Sequence, residues 1–318
     1  MPRDRRIKSN VAAGLGLAAV LALPLLIAAQ KPQQETKPQY NVQVNLVSLD
    51  VEVLDALGNP VLGLTPKDFQ VKENGKPVEI SHFSWQSDRP VSLAFVLDTS
   101  AISSARLVTA KWFIIDLAHV LGRSDELCLY SFDARDAYLE QDLTSSRGNL
   151  VEALENIGVP SAGSGGIMTE LFGPAPRTGL GIDLALRKLR SARYPKRALL
   201  LVSNRFRGLG PATVEHVQKS GCTLLTLGFD NEAALWITLG GDQVSKNQLI
   251  KESGGCRFSA ETPDTSGVCR QIAYALKNYY VLGYMVDTVT DGKKPQKIEV
   301  SVPGKNYTLH YRRTYVPQ

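Results

Sequence analysis

The sequence lacks the short patterns by which several kinds of functional site can be recognised. Its four cysteines include no Cys-x-x-Cys pair, the spacing typical of zinc sites. No Gly-x-Gly-x-x-Gly loop and no P-loop follows a predicted strand, so no nucleotide site is indicated. Of the four histidines, His82 and His310 fall in predicted β segments, and His119 and His216 fall inside predicted helices. This placement does not indicate a Ser-His-Asp catalytic set.

The mature chain has little net charge. The full sequence has a formal charge of +5, but residues 1–30 carry four basic side chains and one acid, which leaves the rest near +2. A basic pI produced largely by the N-terminus gives no reason to expect a nucleic-acid partner.

The N-terminus is typical of an export signal. Four basic residues precede an apolar run over 11–29, which ends in small residues and is followed by the polar segment 31–39. We expect a signal peptide over 1–30, a linker over 31–39 and a secreted or periplasmic protein. The alternative is an uncleaved membrane anchor over 11–29, which is the one way in which the membrane becomes a partner.

Export makes disulfides permissible for the four cysteines of the mature chain. Cys128 and Cys222 lie in strand-like apolar runs and are expected to be buried thiols. Cys256 and Cys269 bracket a short loop, and the sequence leaves open whether they pair.

Three segments with different patterns follow the linker. Residues 40–88 alternate apolar and polar positions, with a strong hairpin signal at Asn74-Gly75. Residues 89–279 alternate continuously apolar strands with helical patterns, which predicts a doubly wound, mostly parallel sheet. Residues 280–318 return to strands. We therefore predict an α/β domain inserted into a small all-β module built from both ends of the mature chain.

The first strand of the α/β segment ends in polar residues. The stretch "LAFVLDTSAIS" (93–103) places Asp98 and Ser100 where ligands bind in open α/β sheets, beyond the carboxyl end of a strand. An N-cap for the following helix is the alternative explanation for the same two residues.

Several stretches are informative through their order and spacing, and they include "FVLDTS", "YSFDARDAYLEQDLTSSRGNLVEAL", "RALLLVSN", "SGGCRFSAETPD" and "IAYALKNYYVLGYM". Through these stretches the chain resembles von Willebrand factor type A domains, and specifically the acidobacterial group of exported proteins related to them. The resemblance spans about residues 42–315. This resemblance implies the same fold that the strand and helix patterns predict.

The resemblance also implies a metal-ion-dependent adhesion site whose first loop reads Asp-x-Ser-x-Ser. Here Asp98 and Ser100 match that loop, but Ile102 stands at the third ligand position and offers no oxygen. Ser103 is one position late and could substitute only if the loop bulged. Hard cations such as Mg²⁺ require oxygen ligands.

The other two loops of that site are matched less well. Thr178 begins a helix and has the family's spacing to Gly181, while Thr169 is a rival for the same role. The third loop has Asn204 where the family places an aspartate. With Asp98 as the one remaining carboxylate, we expect a degenerate site that binds Mg²⁺ or Mn²⁺ weakly or not at all.

The resemblance implies an exported, non-enzymatic binding, adhesion or scaffolding protein that contacts an unidentified protein partner through the loops at the carboxyl end of the sheet. A structural envelope subunit without a ligand is the first alternative. An exported hydrolase is the second, because Ser164 lies in a glycine-rich stretch, but no strand leads into that stretch as a nucleophile elbow requires.

Overall fold

The computed structural model describes residues 44–100, 104–158, 177–203, 209–229, 243–287 and 294–317. The strands are β1 (Val44–Leu54), β2 (Gln70–Glu73), β3 (Lys76–Val78), β4 (Ile80–Gln86), β5 (Ser92–Asp98), β6 (Glu126–Phe132), β7 (Ala137–Thr144), β8 (Arg197–Val202), β9 (Thr223–Gly228), β10 (Arg257–Ser259), β11 (Tyr279–Asp287), β12 (Gln296–Ser301), β13 (Thr308–Tyr311) and β14 (Thr314–Tyr315). The helices are α1 (Ser104–Val120), α2 (Arg147–Asn156), α3 (Thr178–Leu189), α4 (Pro211–Ser220), α5 (Gln243–Glu252) and α6 (Thr265–Lys277).

The central sheet has the strand order β10-β9-β8-β5-β6-β7. Its strands are parallel except β7, which runs antiparallel to β6. Every residue of β5 is buried, because helices cover both faces. Leu93 and Phe95 pack on one face against α1, α2 and α6, and Ala94 and Val96 pack on the other against α3, α4 and α5. The predicted doubly wound, mostly parallel sheet is confirmed.

Two antiparallel sheets form the β module, with orders β13-β1-β11-β4 and β14-β12-β2-β3. Each sheet combines strands that precede the α/β segment with strands that follow it: β1 pairs with β11 and β13, and β2 pairs with β12. Their facing sides share one core, which includes Leu49, Val71, Leu282 and Ile298. An all-β module built from the segments on both sides of the α/β domain is therefore confirmed as part of the fold.

The hairpin predicted at Asn74-Gly75 joins β2 to β3. Both residues have positive φ, 49° and 80°, as the tight turn between antiparallel strands requires. The extended segment after the hairpin forms two strands instead of one. It is interrupted at Glu79, after which β4 pairs with β11 in the other sheet.

The edge strand β7 was missed by the sequence interpretation, which placed no strand between β6 and α2. Its burial alternates weakly, and Tyr138 and Leu139 are both exposed, so the residues carry no clear period-two pattern. The predicted signal peptide, linker and anchor segments lie outside the described residues. None of the helices described has both the length and the apolar character needed to cross a membrane.

Candidate functional site

The strand order reverses at the centre of the large sheet, between β5 and β8. Leu97 and Val202 are parallel partners across this point, and each stands at or next to the carboxyl end of its strand. In doubly wound sheets the chains leave such a pair of strands in opposite directions and open a crevice above them. The residues that follow Leu97 and Val202, which are Asp98 and Ser203, therefore stand at the expected binding position.

Asp98 is nearly buried, with 4% of its surface exposed, and both of its carboxylate oxygens accept hydrogen bonds. The Ser100 amide donates to Oδ1 at 2.9 Å, and the Ser100 hydroxyl donates to the same atom at 2.6 Å. The Ser203 hydroxyl donates to Oδ2 at 2.6 Å. The carboxylate thus ties its own loop to the end of β8, and hydrogen bonds to the charged form favour an ionised group.

The end of β6 joins the same edge of the sheet. The Thr99 amide and hydroxyl both donate to the Phe132 carbonyl, at 2.8 and 3.1 Å. One residue further along, the Asp133 carbonyl accepts from the Arg177 amide at 2.8 Å, directly before α3 begins. These contacts hold the loop after β5 and the start of α3 against the same two residues.

Thr178 is the first residue of α3 and is completely buried. Its hydroxyl has no hydrogen-bond partner among the described residues. The helix approaches the sheet closely because Gly181 follows one turn later: a Cβ there would lie 3.0 Å from Phe132 Cδ1 and 3.2 Å from Val96 Cγ1. A buried hydroxyl without a partner costs about 1–3 kcal/mol, so Thr178 is the one described position at this edge where a ligand oxygen or cation would relieve a cost.

The donor set matches a hard cation in type but not in charge. Carboxylate and hydroxyl oxygens are the ligands that Mg²⁺ takes in proteins. Asp98 is the one carboxylate of the described set, and its two oxygens already accept hydroxyl protons. No group of three or more His, Cys, Asp or Glu side chains that could hold a metal occurs among the described residues. These residues fit a weak divalent cation site and do not fit a tight one.

Of the residues predicted for the site, Asp98, Ser100 and Thr178 are described, and all three lie at the carboxyl edge of the sheet. Asn204, with Ser103 and Thr169 as the substitutes, lies outside the described residues, as does Ile102.

Ser203 was not predicted, although its hydroxyl contacts Asp98 directly. The available signal was its position: it directly follows the apolar strand "RALLLV", which pairs in parallel with the strand that ends at Asp98.

The hydrogen bonds of His216 and His310 join neighbouring elements of the fold. His216 Nδ1 lies 3.0 Å from Asp183 Oδ1, and its Nε2 lies 2.8 Å from an Arg190 nitrogen, so both ring nitrogens are occupied. His310 contacts Glu52 at 2.8 Å. None of the histidine hydrogen bonds found in the described residues reaches a serine or threonine hydroxyl as a general base would.

The structure places the four cysteines apart as thiols, and the pairing of Cys256 with Cys269 stays untested. Cys256 and Cys269 are both free thiols, and so are Cys128 and Cys222, which are buried as expected. The Cys269 sulfur is directed into the core, 3.9 Å from the Phe113 carbonyl on α1. Burial raises the pKa of both Cys256 and Cys269 to about 12, which keeps them protonated and unreactive near neutral pH.

Comparisons with known proteins found similarity in structure alone. No family model matches the sequence, and no curated protein matches it. A von Willebrand factor type A protein from Catenulispora acidiphila is similar at a TM-score of 0.44 and 10% identity, over 88% of this chain and 75% of that one.

Two further solved structures are similar over about 60% of this chain. The vWF domain of the type V pili tip protein Mfa5 from Porphyromonas gingivalis has a TM-score of 0.40 and 11% identity, over 60% of this chain and 95% of that one. An aerotolerance-related membrane protein from Bacteroides fragilis has a TM-score of 0.42 and 19% identity, over 59% of this chain and 98% of that one.

The similar structures thus include type A domains, the fold family that the sequence resembles. At TM-scores below 0.5 they add nothing to the strand order, which by itself establishes the doubly wound fold. The acidobacterial group remains a prediction.

Proposed function

We propose that this chain is an exported, non-enzymatic binding protein of the adhesion or scaffolding kind. It contacts a protein partner through the loops beyond the carboxyl ends of the parallel strands. The observation that carries the proposal is the hydrogen-bonded cluster at the point where the strand order reverses. There Asp98 is held by the hydroxyls of Ser100 and Ser203, on the edge where the buried hydroxyl of Thr178 has no partner among the described residues.

The described part of the cluster suits recognition, and none of its described groups is arranged to react. Its hydroxyls donate to a carboxylate that accepts from both sides, and none of the histidine hydrogen bonds in the described residues reaches them. A nucleophilic serine requires an adjacent base to take its proton. In Ser-His-Asp sets the carboxylate orients the histidine and does not take the serine proton, so the contact with Asp98 does not by itself activate these hydroxyls.

Divalent cations have a minor part in the proposed function. Asp98 and Thr178 would supply oxygens to Mg²⁺ or Mn²⁺, and a bound cation would add a positive charge for an acidic group of the partner. Since Asp98 is the one carboxylate among the described residues of this site, the cation would bind weakly. We propose that partner binding persists when divalent cations are removed.

Photo-crosslinking tests which edge of the sheet contacts the partner. Arg177, exposed beside Thr178, and Arg193, exposed before the amino end of β8, are matched arginines at opposite edges. Each is replaced in turn by p-benzoylphenylalanine in the native cell. The proposal expects a discrete crosslinked protein from position 177, with or without chelator, and none from position 193. Equal crosslinking from both positions, or none from position 177, contradicts it.

Two alternatives make different predictions. A structural envelope subunit would give no discrete crosslink at the carboxyl edge. A hydrolase would turn over esters or peptides in a broad substrate screen, and Ser164→Ala would abolish that turnover. The second result would replace a binding function with an enzymatic one.

A further inference from the structure

A second polar cavity lies at the opposite edge of the large sheet, where the β module meets the amino ends of the parallel strands. Its volume is about 240 Å³. Lys196 directly precedes β8 and Thr223 begins β9, while Asp50 comes from β1 and Arg312 follows β13. Pockets for drug-sized ligands begin at about 300 Å³, so an occupant of this cavity would be small.

Close backbone contacts form one wall of the cavity. After α5, Ser253 makes an isolated β-bridge with Arg312, and the Arg313 amide donates to the Glu252 carbonyl at 2.8 Å. Gly254 permits this approach with a φ of +82°, since a Cβ there would lie 2.7 Å from the Tyr311 carbonyl carbon. The wall is therefore set by the backbone and does not depend on mobile side chains.

Arg312 brings a positive charge that nothing in the described residues neutralises directly. Its side chain is half-buried, and no hydrogen bond or ion pair to its guanidinium is found in the described residues. Its closest ring contact is Tyr315, with the guanidinium carbon 5.7 Å from the ring centroid. Burial lowers the pKa of Arg312, and the Asp50 carboxylate opposes that shift. A guanidinium in this state is a ready partner for a carboxylate, which it can bind through two parallel hydrogen bonds.

Asp50 brings the opposite charge to the same cavity. Its Oδ2 accepts from Lys196 Nζ at 2.8 Å, but no hydrogen bond to Oδ1 is found among the residues that the structure describes. The side chain is 37% exposed and lines the cavity, so the carboxylate can accept a further hydrogen bond from an occupant. Glu52 is a second acid of the lining, already paired with His310. Two carboxylates in the lining disfavour a multiply charged anion such as phosphate.

We propose that this cavity binds the zwitterionic head of a free α-amino acid, with Arg312 taking its carboxylate and Asp50 taking its ammonium group. The pairing places each charge of the ligand against an available protein charge of opposite sign. It also explains the mixed lining, which would repel a simple cation or a dianion. The bound molecule would contact both the β module and the α/β domain and would stabilise their junction.

The first arm of the test uses the unmodified full-length protein. Each common amino acid is added at up to about 10 mM, and thermal unfolding and isothermal titration are recorded. At least one amino acid should raise the unfolding midpoint and bind saturably. Its amide, which lacks the carboxylate, and its N-acetyl form, which lacks the ammonium, should each bind about tenfold more weakly or worse.

The second arm uses variants. Arg312→Gln and Asp50→Asn should each weaken binding of that amino acid about tenfold or more. Arg270→Gln, at an exposed arginine on α6, is the matched control and should leave binding unchanged.

Three results would overturn the proposal. The first is that no amino acid binds the unmodified protein in this range. The second is that the N-acetyl form binds as well as the free amino acid, which would indicate a peptide C-terminus as the ligand. The third is that Arg312→Gln folds and binds normally.

Discussion

Replacing Thr178 by valine tests whether its buried hydroxyl has a partner. Valine keeps the branched shape, and its helix propensity is close to that of threonine, so α3 should begin as before. Thr178 is 0% exposed, and its hydroxyl has no partner in the described residues. An unsatisfied buried hydroxyl costs about 1–3 kcal/mol. In the presence of a chelator, we expect Thr178→Val to raise the free energy of unfolding by about 1 kcal/mol, because the variant removes the unsatisfied hydroxyl.

The same variant tests the role of Thr178 as a cation ligand. A cation present at its dissociation constant stabilises the native state by about 0.4 kcal/mol. The unmodified protein should show an increase of this small size when Mg²⁺ is added in the millimolar range, and Thr178→Val should show none. The assay is chemical denaturation followed by circular dichroism, with and without Mg²⁺. A change of 1 kcal/mol corresponds to a shift of about 2–4 °C in the unfolding midpoint of a domain of this size.

Thr226 provides a matched control. Its hydroxyl is also buried and has no hydrogen-bond partner in the described part of the chain, but it lies on β9, which β8 separates from Asp98. Thr226→Val should raise stability in chelator by a similar amount and leave the Mg²⁺ response unchanged. The reasoning is refuted if Thr178→Val is destabilising in chelator, because the hydroxyl then has a partner. It is also refuted if Thr178→Val responds to Mg²⁺ as the unmodified protein does.

Three further predictions follow from other buried contacts. Arg147→Ala should lower the free energy of unfolding by about 2–3 kcal/mol, because Arg147 donates to the Ala118 and Gly122 carbonyls at the end of α1. Urea denaturation measures this loss, and a loss below about 0.5 kcal/mol would contradict the role of Arg147. Lys277→Met should cost about 3–5 kcal/mol, since Asp125 is fully buried and accepts from Lys277 at 3.3 Å. Burial alone would lower the pKa of Lys277, but Asp88 and Asp125 together raise it above the usual 10.5. The stability that the ion pairs contribute should therefore be complete at neutral pH and should shrink as strongly alkaline pH deprotonates Lys277, and a difference between the two proteins that stays constant into that range would contradict this. A thiol assay on denatured, unreduced protein should find four free thiols, and a count of two would show that two of the cysteines form a disulfide.

The sequence was sufficient to predict the fold where a local pattern carried the information. Continuous apolar strands such as "SLAFVLD" indicate burial on both faces, and burial on both faces requires helices on both sides of a sheet. The hairpin at Asn74-Gly75 was predictable because positive φ at two successive residues selects those residue types. The strand β7 was missed because an exposed edge strand needs no regular alternation.

The sites depend on contacts that no local pattern reports. The position of Asp98 at the end of a strand could be predicted from the apolar run that precedes it. Its hydrogen bond with Ser203 could not be predicted, because that bond depends on which strand lies beside β5. The cavity at the amino edge was not predicted. Asp50, Lys196 and Arg312 come from three distant segments of the chain, and their association depends on how the β module packs on the large sheet. Charge in the sequence predicts neither that packing nor which side chains are left unpaired.

The measurement that tests the central claim most directly is a titration with Mn²⁺ or Mg²⁺, followed by calorimetry. The claim is that the carboxyl edge keeps the architecture of a metal-ion-dependent adhesion site with a ligand set too poor in charge to bind tightly. The unmodified protein should show little cation-dependent stabilisation. The double variant Ile102→Ser with Asn204→Asp restores one hydroxyl and one carboxylate. It should gain about 2–3 kcal/mol at a hundredfold excess of cation over its dissociation constant. Strong stabilisation of the unmodified protein that disappears in Asp98→Ala would contradict the claim, and a cation-bridged mode of adhesion would replace it.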